Sequence, residues 1–286
     1  IADLHALTEN PDAKNLNKNI VNLTSDYLAA GLDPKKSTMF LQSAIRAHSE
    51  LAWILNTMTP MGELRRMTQF KDKATEQETA NVGLFAYPTL MAADILLYDT
   101  KFVPVGDDQL QHLELARTLA RKFNSRFGGT FREPKPLLTD LPRAMSLDDP
   151  TKKMSKSRPA GCIFLDDSPA KIKEKIKRAV TDSESIVRYD AQTKPAISNL
   201  LRIYASLSNK LIPDIEKEFA GMNYSEFKLG LANLVATYFE PFRLRKKVLL
   251  RKPVIIKSAL VAGNKKAQNI SEKKIALIKS KMGVKI

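Results

Sequence analysis

"KFVPVGDDQLQHLELARTLARKFN" (residues 101–124) changes from the pattern of a strand to that of a helix at a single glycine. The apolar run 101–106 predicts a buried strand, and residues 107–124 carry leucines on one helical face. A helix that begins directly after a strand has free backbone N–H groups at its start, which can receive hydroxyl or anionic oxygens. In open α/β sheets, ligands bind at this end of the strands. The stretch therefore predicts an α/β fold with a ligand site beside Gly106.

The rest of the first half repeats the alternation of strand and helix. Short apolar runs predict further strands at 1–7 and 37–43, and helical spacing of apolar residues predicts helices between them. The predicted helices cover residues 15–30, 48–58, 60–67 and 81–98. Strands that alternate with helices are typical of a parallel sheet.

Strand patterns stop at about residue 169, and the second half reads as helices. The segments with helical periodicity are 168–180, 195–209, 212–221 and 224–250, with a kink expected at Pro241. Residues 251–286 predict one or two further basic helices with a turn near Gly263. The chain is therefore expected to form an α/β domain over 1–168 and an all-helical domain over 169–286.

The positive charge of the chain is concentrated in its second half. Residues 1–150 carry a net charge of −2 and residues 151–286 one of +17, within a total of +15. One interpretation is a helical half that binds a polyanion such as a nucleic acid, joined to a near-neutral half. The alternative is a lysine-rich surface that reflects compositional bias alone.

Composition excludes several classes of protein. The single cysteine, Cys162, rules out internal disulfides and cysteine-rich metal sites, and three scattered histidines do not form a metal cluster. No apolar run approaches the ~20 residues of a membrane span, and the first ten residues do not resemble a signal peptide. A reducing cytoplasm is the expected location, with an organelle matrix as the alternative.

Two stretches of the first half carry side chains suited to ligand binding. In "VPVGDDQ" (103–109), Asp107 and Asp108 could bind ribose hydroxyls or an ammonium group, or could simply favour the start of a helix. In "AYPTLMAAD" (86–94), Tyr87, Met91 and Asp94 fall on one helical face. A carboxylate among apolar neighbours must be hydrogen-bonded. Its partner is either a protein N–H or lysine, or the polar N–H of an otherwise apolar ligand.

"TKKMSKSRP" (151–159) combines four basic side chains and two serines without an acidic residue. Mobile lysines suit a polyphosphate whose charge grows during a reaction. The alternative is a solvated basic loop with no ligand.

Together these stretches resemble the class I aminoacyl-tRNA synthetases, and within them the tryptophanyl enzymes of bacterial or organellar type. The similarity runs from end to end, and "KMSKS" is the signature loop of the class. The matching segments are "QSAIRAHSELAWIL" (42–55), "MTQFKDK" (67–73), "YPTLMAADILLY" (87–98), "GDDQ" (106–109), "KMSKS" (153–157) and "AGMNYSEFKLGLANLV" (220–235). The resemblance implies a Rossmann-type catalytic domain and a helical anticodon-binding domain.

The resemblance also implies an ATP site. Its predicted residues are Gly106, Asp107, Asp108, Ala144, Lys153, Met154, Ser155, Lys156 and Ser157. Lys153 and Lys156, with Lys73 from the "FKDK" segment, would act in catalysis by stabilising the pyrophosphate. Mg²⁺ would accompany ATP on its phosphates, without a metal site built by the protein.

The same resemblance implies a site for L-tryptophan. Asp94 would accept the indole N–H, Tyr87 and Gln109 would hold the α-ammonium group, and an apolar wall would enclose the ring. The expected wall residues are His5, Met91, Val103 and Val105. Tyrosyl enzymes place a glutamine at the position of Met91, so the thioether favours tryptophan over tyrosine.

Members of the family begin with a strand and a Gly/His loop of the "HIGH" type, and no segment of this sequence matches them. The Rossmann-type domain is therefore expected to be N-terminally incomplete, and residues 1–286 alone are expected not to form tryptophanyl-adenylate. The alternatives are a non-catalytic tRNA-binding fragment or paralogue, and a tyrosyl-tRNA synthetase. Expected partners are tRNA(Trp) and a second copy of the chain in a homodimer.

Overall fold

The computed structural model describes residues 1–68, 81–138 and 144–284, and the fold is given for these residues. Their contacts divide the chain into two compact units. The first unit takes in the described residues before 139 together with those from Leu249 onward, and the second takes in those from Ala144 to Val248. Within the described ranges, no helix has both the length and the apolar character needed to cross a membrane.

Helices dominate both units. The described α-helices are α1 Asp3–Ala6, α2 Ala13–Ala29, α3 Arg46–Asn56, α4 Met61–Arg65, α5 Val82–Leu96, α6 Leu110–Phe127, α7 Pro169–Arg178, α8 Pro195–Ser208, α9 Ile212–Glu218, α10 Tyr224–Tyr238, α11 Glu240–Arg251 and α12 Pro253–Met282. The helices predicted from periodicity are present, with ends that differ from the prediction by a few residues, except that the helix predicted over 224–250 is divided into two.

The first unit also contains a two-stranded parallel sheet. Strand β1 (Phe102–Pro104) pairs with β2 (Lys135–Leu137), with Phe102 opposite Lys135. Because parallel strands need a crossover connection, α6 runs between them and completes a βαβ unit. The predicted strand over 101–106 and the α/β class with a parallel sheet are confirmed. Strand β2 was not predicted, since "KPL" is short, exposed and contains a proline.

The strands predicted at 1–7 and 37–43 are wrong. Residues Asp3–Ala6 form helix α1, and Gln42–Ala44 form a 3₁₀ turn. The two segments still meet, but their side chains make the connection: the Asp3 carboxylate accepts the backbone N–H of Ser43 at 2.9 Å.

Parallel pairing between these segments is limited to Ile1. Its nitrogen donates to the carbonyl of Phe40 at 2.7 Å, and its own carbonyl accepts the N–H of Gln42 at 2.9 Å. Beyond this pair, the Gln42 side-chain oxygen accepts the N–H of Leu4 at 3.1 Å. The backbone N–H groups of Leu4 and Ser43, which a longer parallel ladder would use, are therefore hydrogen-bonded to side chains instead.

Helix α5 lies at the centre of the first unit, packed against α3 and α6. It is apolar nearly all round, as predicted, because both of its flanks are covered. Its buried residues join a core with those of its neighbours, which include Leu51, Leu55, Ala92, Leu96, Leu113, Ala116, Leu119 and Phe123.

Helix α12 belongs to the first unit, so the boundary predicted at residue 168 does not separate the units that the contacts define. Its buried Lys274 donates to the Asp99 carboxylate at 2.5 Å and to the Thr130 carbonyl at 2.6 Å. The turn predicted near Gly263 is also wrong, since this glycine lies inside α12. A Cβ at Gly263 would stand 1.8 Å from the carbonyl oxygen of Met39, so the glycine is needed for a close approach.

The second unit has its own apolar core, built chiefly where α10 packs against α7 and α8. Predicted helix 224–250 is divided into α10 and α11 at Phe239, so the kink expected at Pro241 is a break between two helices. Lys194 is buried in this unit, where it donates to the Tyr224 hydroxyl and pairs with Glu184 at 2.7 Å.

Replacing Gly263 with alanine is expected to destabilise the protein, although the same change inside an exposed helix stabilises by up to about 1 kcal/mol. The added Cβ meets a carbonyl that cannot move freely. We expect the free energy of unfolding to fall by about 1–3 kcal/mol. Denaturant unfolding measures the change, and Gly62→Ala is the matched control, because its Cβ would meet only the end of the Arg66 side chain at 3.6 Å. Equal stability of the two variants would contradict the packing argument.

Candidate functional site

A cavity of about 500 Å³ opens in the first unit beside α1 and α5. It gathers five of the side chains that the sequence predicted for a tryptophan site: His5, Tyr87, Met91, Asp94 and Gln109. The other lining residues are Ala2, Ala6, Thr8, Glu9 and Leu84. The cavity is thus apolar along α5 and polar where carboxylate, hydroxyl and amide groups converge.

Helix α5 supplies three of these side chains from one face. Its N-terminus is capped by Asn81, whose side-chain oxygen accepts the N–H of Leu84 at 2.9 Å. The spacing of Tyr87, Met91 and Asp94 then directs all three towards the cavity, as helical periodicity predicted.

Asp94 is held by three side chains. His5 Nε2 lies 2.9 Å from Oδ2, Gln42 Nε2 donates to both carboxylate oxygens at 2.8 and 2.9 Å, and His48 Nδ1 contacts Oδ1. Burial acts to raise the pKa of Asp94, but hydrogen bonds from His48 and His5 outweigh it and keep the pKa below its usual value. The cavity therefore presents a charged acceptor at neutral pH.

Tyr87 is held from behind by a buried histidine. Its hydroxyl lies 2.8 Å from Nε2 of His112, which is 1% exposed. Burial raises the pKa of Tyr87 to about 12, so the hydroxyl keeps its proton at neutral pH. Burial also lowers the pKa of His112, which favours a neutral imidazole.

The strand-to-helix junction lies after β1, as predicted. Gly106 precedes a 3₁₀ turn, Asp107–Gln109, which leads into α6. The Gln109 amide donates to Asp108 Oδ2 at 2.9 Å. Val103 and Val105 are partly buried and pack against the core of the unit, and they are not among the residues that line the cavity.

The "KMSKS" loop belongs to the second unit. Met154 N–H donates to the Ala144 carbonyl at 3.0 Å, and the hydroxyls of Ser155 and Ser157 are 2.8 Å apart. Lys153 and Lys156 are exposed and have no ion pair within the described part of the chain.

The two cations that flank the loop are engaged by one carboxylate. Asp149 pairs with Lys152 at 3.2 Å and with Arg158 at 3.9 Å. Hydrogen bonds from Thr151 and from Lys152 lower the pKa of Asp149 to about 2, so it stays charged.

Lys73, predicted to act on phosphate, lies outside the described residues. In the ranges that are described, no group of three or more histidine, cysteine, aspartate or glutamate side chains could hold a metal ion.

A family model described as tRNA synthetases class I (W and Y) matches residues 1–240. The chain belongs to this family. It is a family of enzymes, the class I aminoacyl-tRNA synthetases, and the match covers both the cavity residues and the "KMSKS" loop.

Curated class I synthetases resemble the chain over nearly its full length. The tryptophan–tRNA ligase of Oceanobacillus iheyensis is 46% identical over 287 residues, which cover 99% of this chain and 88% of the relative. Tryptophan–tRNA ligase 2 of Streptomyces avermitilis is 45% identical over 288 residues, covering 99% and 86%.

Solved synthetases share the fold. A crystal structure of tryptophanyl-tRNA synthetase from Campylobacter jejuni, complexed with ADP and tryptophan, is 37% identical, with a TM-score of 0.87 and coverage of 99% of this chain and 88% of that chain. The enzyme from Mycoplasma pneumoniae is 36% identical with the same TM-score, covering 99% and 87%.

Sequence reasoning did not assign roles to several polar residues of this synthetase that lie behind the cavity. These are Gln42, His48, Tyr98 and His112. A signal was present for the histidines, since His48 and His112 stand among apolar residues on the buried faces of α3 and α6. Periodicity shows that such a residue is buried, but it does not show which distant group it contacts.

Proposed function

We propose that this synthetase is a tryptophan–tRNA ligase, which activates L-tryptophan with ATP and transfers it to tRNA(Trp). The observation that carries the proposal is Asp94, a charged carboxylate on the wall of a cavity that also presents the apolar side chains of Leu84 and Met91. Tryptophan has the matching chemistry, because its large ring is apolar except for one N–H donor. The Campylobacter jejuni relative, crystallised with tryptophan, supports the choice.

In the proposed complex, Asp94 accepts the indole N–H, and Tyr87 and Gln109 hold the α-ammonium group. His5 and Met91 enclose the ring, and Val103 and Val105 support that wall from the core. A volume of about 500 Å³ is within the range of small-molecule sites.

Tyrosine is the competing substrate, and Met91 argues against it. A phenol hydroxyl could donate to Asp94, but its oxygen is also an acceptor, and burying that acceptor without a donor costs roughly 1–3 kcal/mol. The thioether of Met91 cannot donate a hydrogen bond, whereas it packs well on an aromatic ring. We therefore propose tryptophan as the amino acid that this synthetase activates.

The proposed reaction has two steps. The tryptophan carboxylate attacks the α-phosphorus of ATP, and pyrophosphate leaves. A ribose hydroxyl at the end of the tRNA then attacks the carbonyl carbon of tryptophanyl-adenylate, and AMP leaves. Both steps depend on positioning and on charge stabilisation.

The residues proposed for the nucleotide are those that the resemblance to the family implies. Gly106, Asp107 and Asp108 would bind the ribose and adenosine, and the backbone of Ala144 and Met154 would contact the adenine. The unpaired charges of Lys153 and Lys156 would stabilise the departing pyrophosphate, with Ser155 and Ser157 contributing hydroxyl donors. ADP in the Campylobacter jejuni structure supports a nucleotide site in this family. Mg²⁺ is proposed to enter with ATP, bound to its phosphates.

Asp94→Ala is expected to weaken tryptophan binding by roughly 10- to 100-fold, the value of one hydrogen bond to a charged acceptor. Calorimetric titration measures the dissociation constant, and a thermal melt confirms that the variant is folded. Asp214→Ala, which removes a carboxylate from α9 in the second unit, is the control and should bind normally. Unchanged affinity in Asp94→Ala would remove this residue from the site.

Lys156→Ala is expected to slow adenylate formation by roughly 100-fold or more and to leave tryptophan affinity nearly intact, because its charge acts mainly in the transition state. Tryptophan-dependent exchange of pyrophosphate into ATP by the full-length enzyme measures the rate. Lys152→Ala is the matched control, since Asp149 already engages this lysine. If the wild-type enzyme showed no exchange but bound tRNA, the non-catalytic alternative would be correct.

The basic residues near the C-terminus are proposed to bind tRNA, but not all of them are available. Residues 243–286 carry 14 lysines and arginines and one acidic residue, Glu272. Lys246 is paired with Asp166 at 2.6 Å and Arg243 donates to the Ala236 carbonyl, so neither is a free phosphate contact. Arg245 and Lys247 on α11 are exposed and are the better candidates.

Reversing the charge at Arg245 and Lys247 with glutamates is expected to weaken tRNA binding and to reduce the slope of log K against log salt by about 2. Binding titrations at several salt concentrations measure the slope. Lys14→Glu/Lys18→Glu on α2 makes the same change in net charge within the near-neutral half and is the control. An identical slope in both double variants would support the compositional explanation of the positive charge.

The proposal includes a homodimer and a cytoplasmic location, as the resemblance and the single cysteine predict. Sedimentation at several concentrations tests the dimer directly.

A further inference from the structure

The buried side of Asp94 carries a hydrogen-bonded chain that the proposed binding of tryptophan does not use. His48, on α3, contacts Asp94 Oδ1 through Nδ1, and its Nε2 lies 2.9 Å from the Tyr98 hydroxyl. The His48 side chain is 2% exposed and does not line the cavity. The other carboxylate oxygen, Oδ2, is contacted by His5, which lines the cavity.

Chemistry fixes the direction of the hydrogen bond to Asp94. A carboxylate only accepts, so Nδ1–H of His48 donates to Asp94. The Tyr98 hydroxyl is the partner of the other ring nitrogen, Nε2, so each polar atom of the chain from Tyr98 to Asp94 has a partner.

A second buried donor acts beside His48. Gln42 accepts the backbone N–H of Leu4 on its oxygen, so its amide nitrogen must face the carboxylate. Two buried donors, Gln42 and His48, therefore resist rotation of the Asp94 carboxylate and hold it in one orientation at the cavity wall. Burial alone would favour protonation of the carboxyl group, and a protonated Asp94 could not be relied on as an acceptor.

We infer that His48 and Tyr98 are positioning residues that make Asp94 selective for an amino acid whose ring carries an N–H group. The inference rests on the proposed binding of tryptophan at this cavity. It assigns the selectivity to the Nδ1–H donor of His48, which the Tyr98 hydroxyl helps to hold in place. The competing explanation is packing, because the rings of Phe40, His48 and Tyr98 have centroids only 5.4–5.9 Å apart.

Two substitutions at His48 separate hydrogen bonding from packing. In His48→Asn, the amide nitrogen takes the place of Nδ1 and can still donate to Asp94. In His48→Gln, the amide takes the place of Nε2, and the donor to Asp94 is lost. Both variants remove the ring and therefore make a similar change to the packing with Phe40 and Tyr98.

The ligands are L-tryptophan and its isostere in which sulfur replaces the indole N–H. The measured quantity is the ratio of their dissociation constants, obtained by calorimetry on the same protein. We expect wild type to prefer tryptophan by roughly tenfold or more, the value of a hydrogen bond to a charged acceptor. His48→Gln should reduce that preference by about threefold or more, and His48→Asn should retain it within about twofold.

Tyr98→Phe provides a variant that removes only one oxygen atom. It leaves Nε2 of His48 without its partner, so the preference for tryptophan should fall in the same direction by a smaller factor. The ¹⁵N shifts of His48 in the wild-type protein should show a protonated Nδ1, as a donor to Asp94 requires.

The outcomes distinguish this inference from the proposed function. If His48→Gln weakened both ligands equally and kept the wild-type ratio, His48 would be a packing residue and the inference would be overturned. The inference would also be overturned if His48→Asn reduced the preference for tryptophan as much as His48→Gln. A wild-type ratio near one, with tryptophan still bound, would instead overturn the role of Asp94 on which the inference rests.

Discussion

A carboxylate that is largely removed from water must be hydrogen-bonded, and at Asp94 this requirement organises the unit around it. Three donors reach it from α1, from the segment before α3 and from α3 itself. These donors tie the first residues of the chain to the last turn of the core helix α5. The charge that is proposed to accept a ring N–H therefore also holds these segments of the first unit together.

The sequence predicted what periodicity and short motifs can specify. The face of α5 that carries Tyr87, Met91 and Asp94 follows from residues three and four apart, and the junction at Gly106 follows from a strand pattern that ends in glycine. Neither requires knowledge of distant partners. The same reasoning failed at 1–7 and 37–43, because apolar runs fit strands and buried helices equally well, and hydrogen bonds of Asp3 and Gln42 decided between them.

Gly263 shows a second limit of local reasoning. In a sequence, a glycine between two helical patterns indicates a turn, because it weakens a helix. Here the helix continues through it, since α12 must approach the carbonyl of Met39 closely. The gain from packing α12 on the first unit, including the buried pair of Lys274 and Asp99, outweighs the lower helix propensity of one residue. That balance depends on a segment more than 200 positions away, so the sequence near Gly263 alone cannot predict it.

The positively charged side chains of the second half are of two kinds. Some are engaged by carboxylates of the protein, and others are exposed and available to a ligand. Lys194 and Lys246 are engaged by carboxylates, so their charges stabilise the unit that contains them. Lys153, Lys156, Arg245 and Lys247 remain exposed without an ion pair among the described residues. A net charge counts both kinds equally, but only the second kind can neutralise phosphate without breaking an existing interaction. The net charge of the second half therefore overstates how many phosphates of a nucleic acid it can neutralise. The exposed cations are the residues at which nucleic-acid binding should be tested.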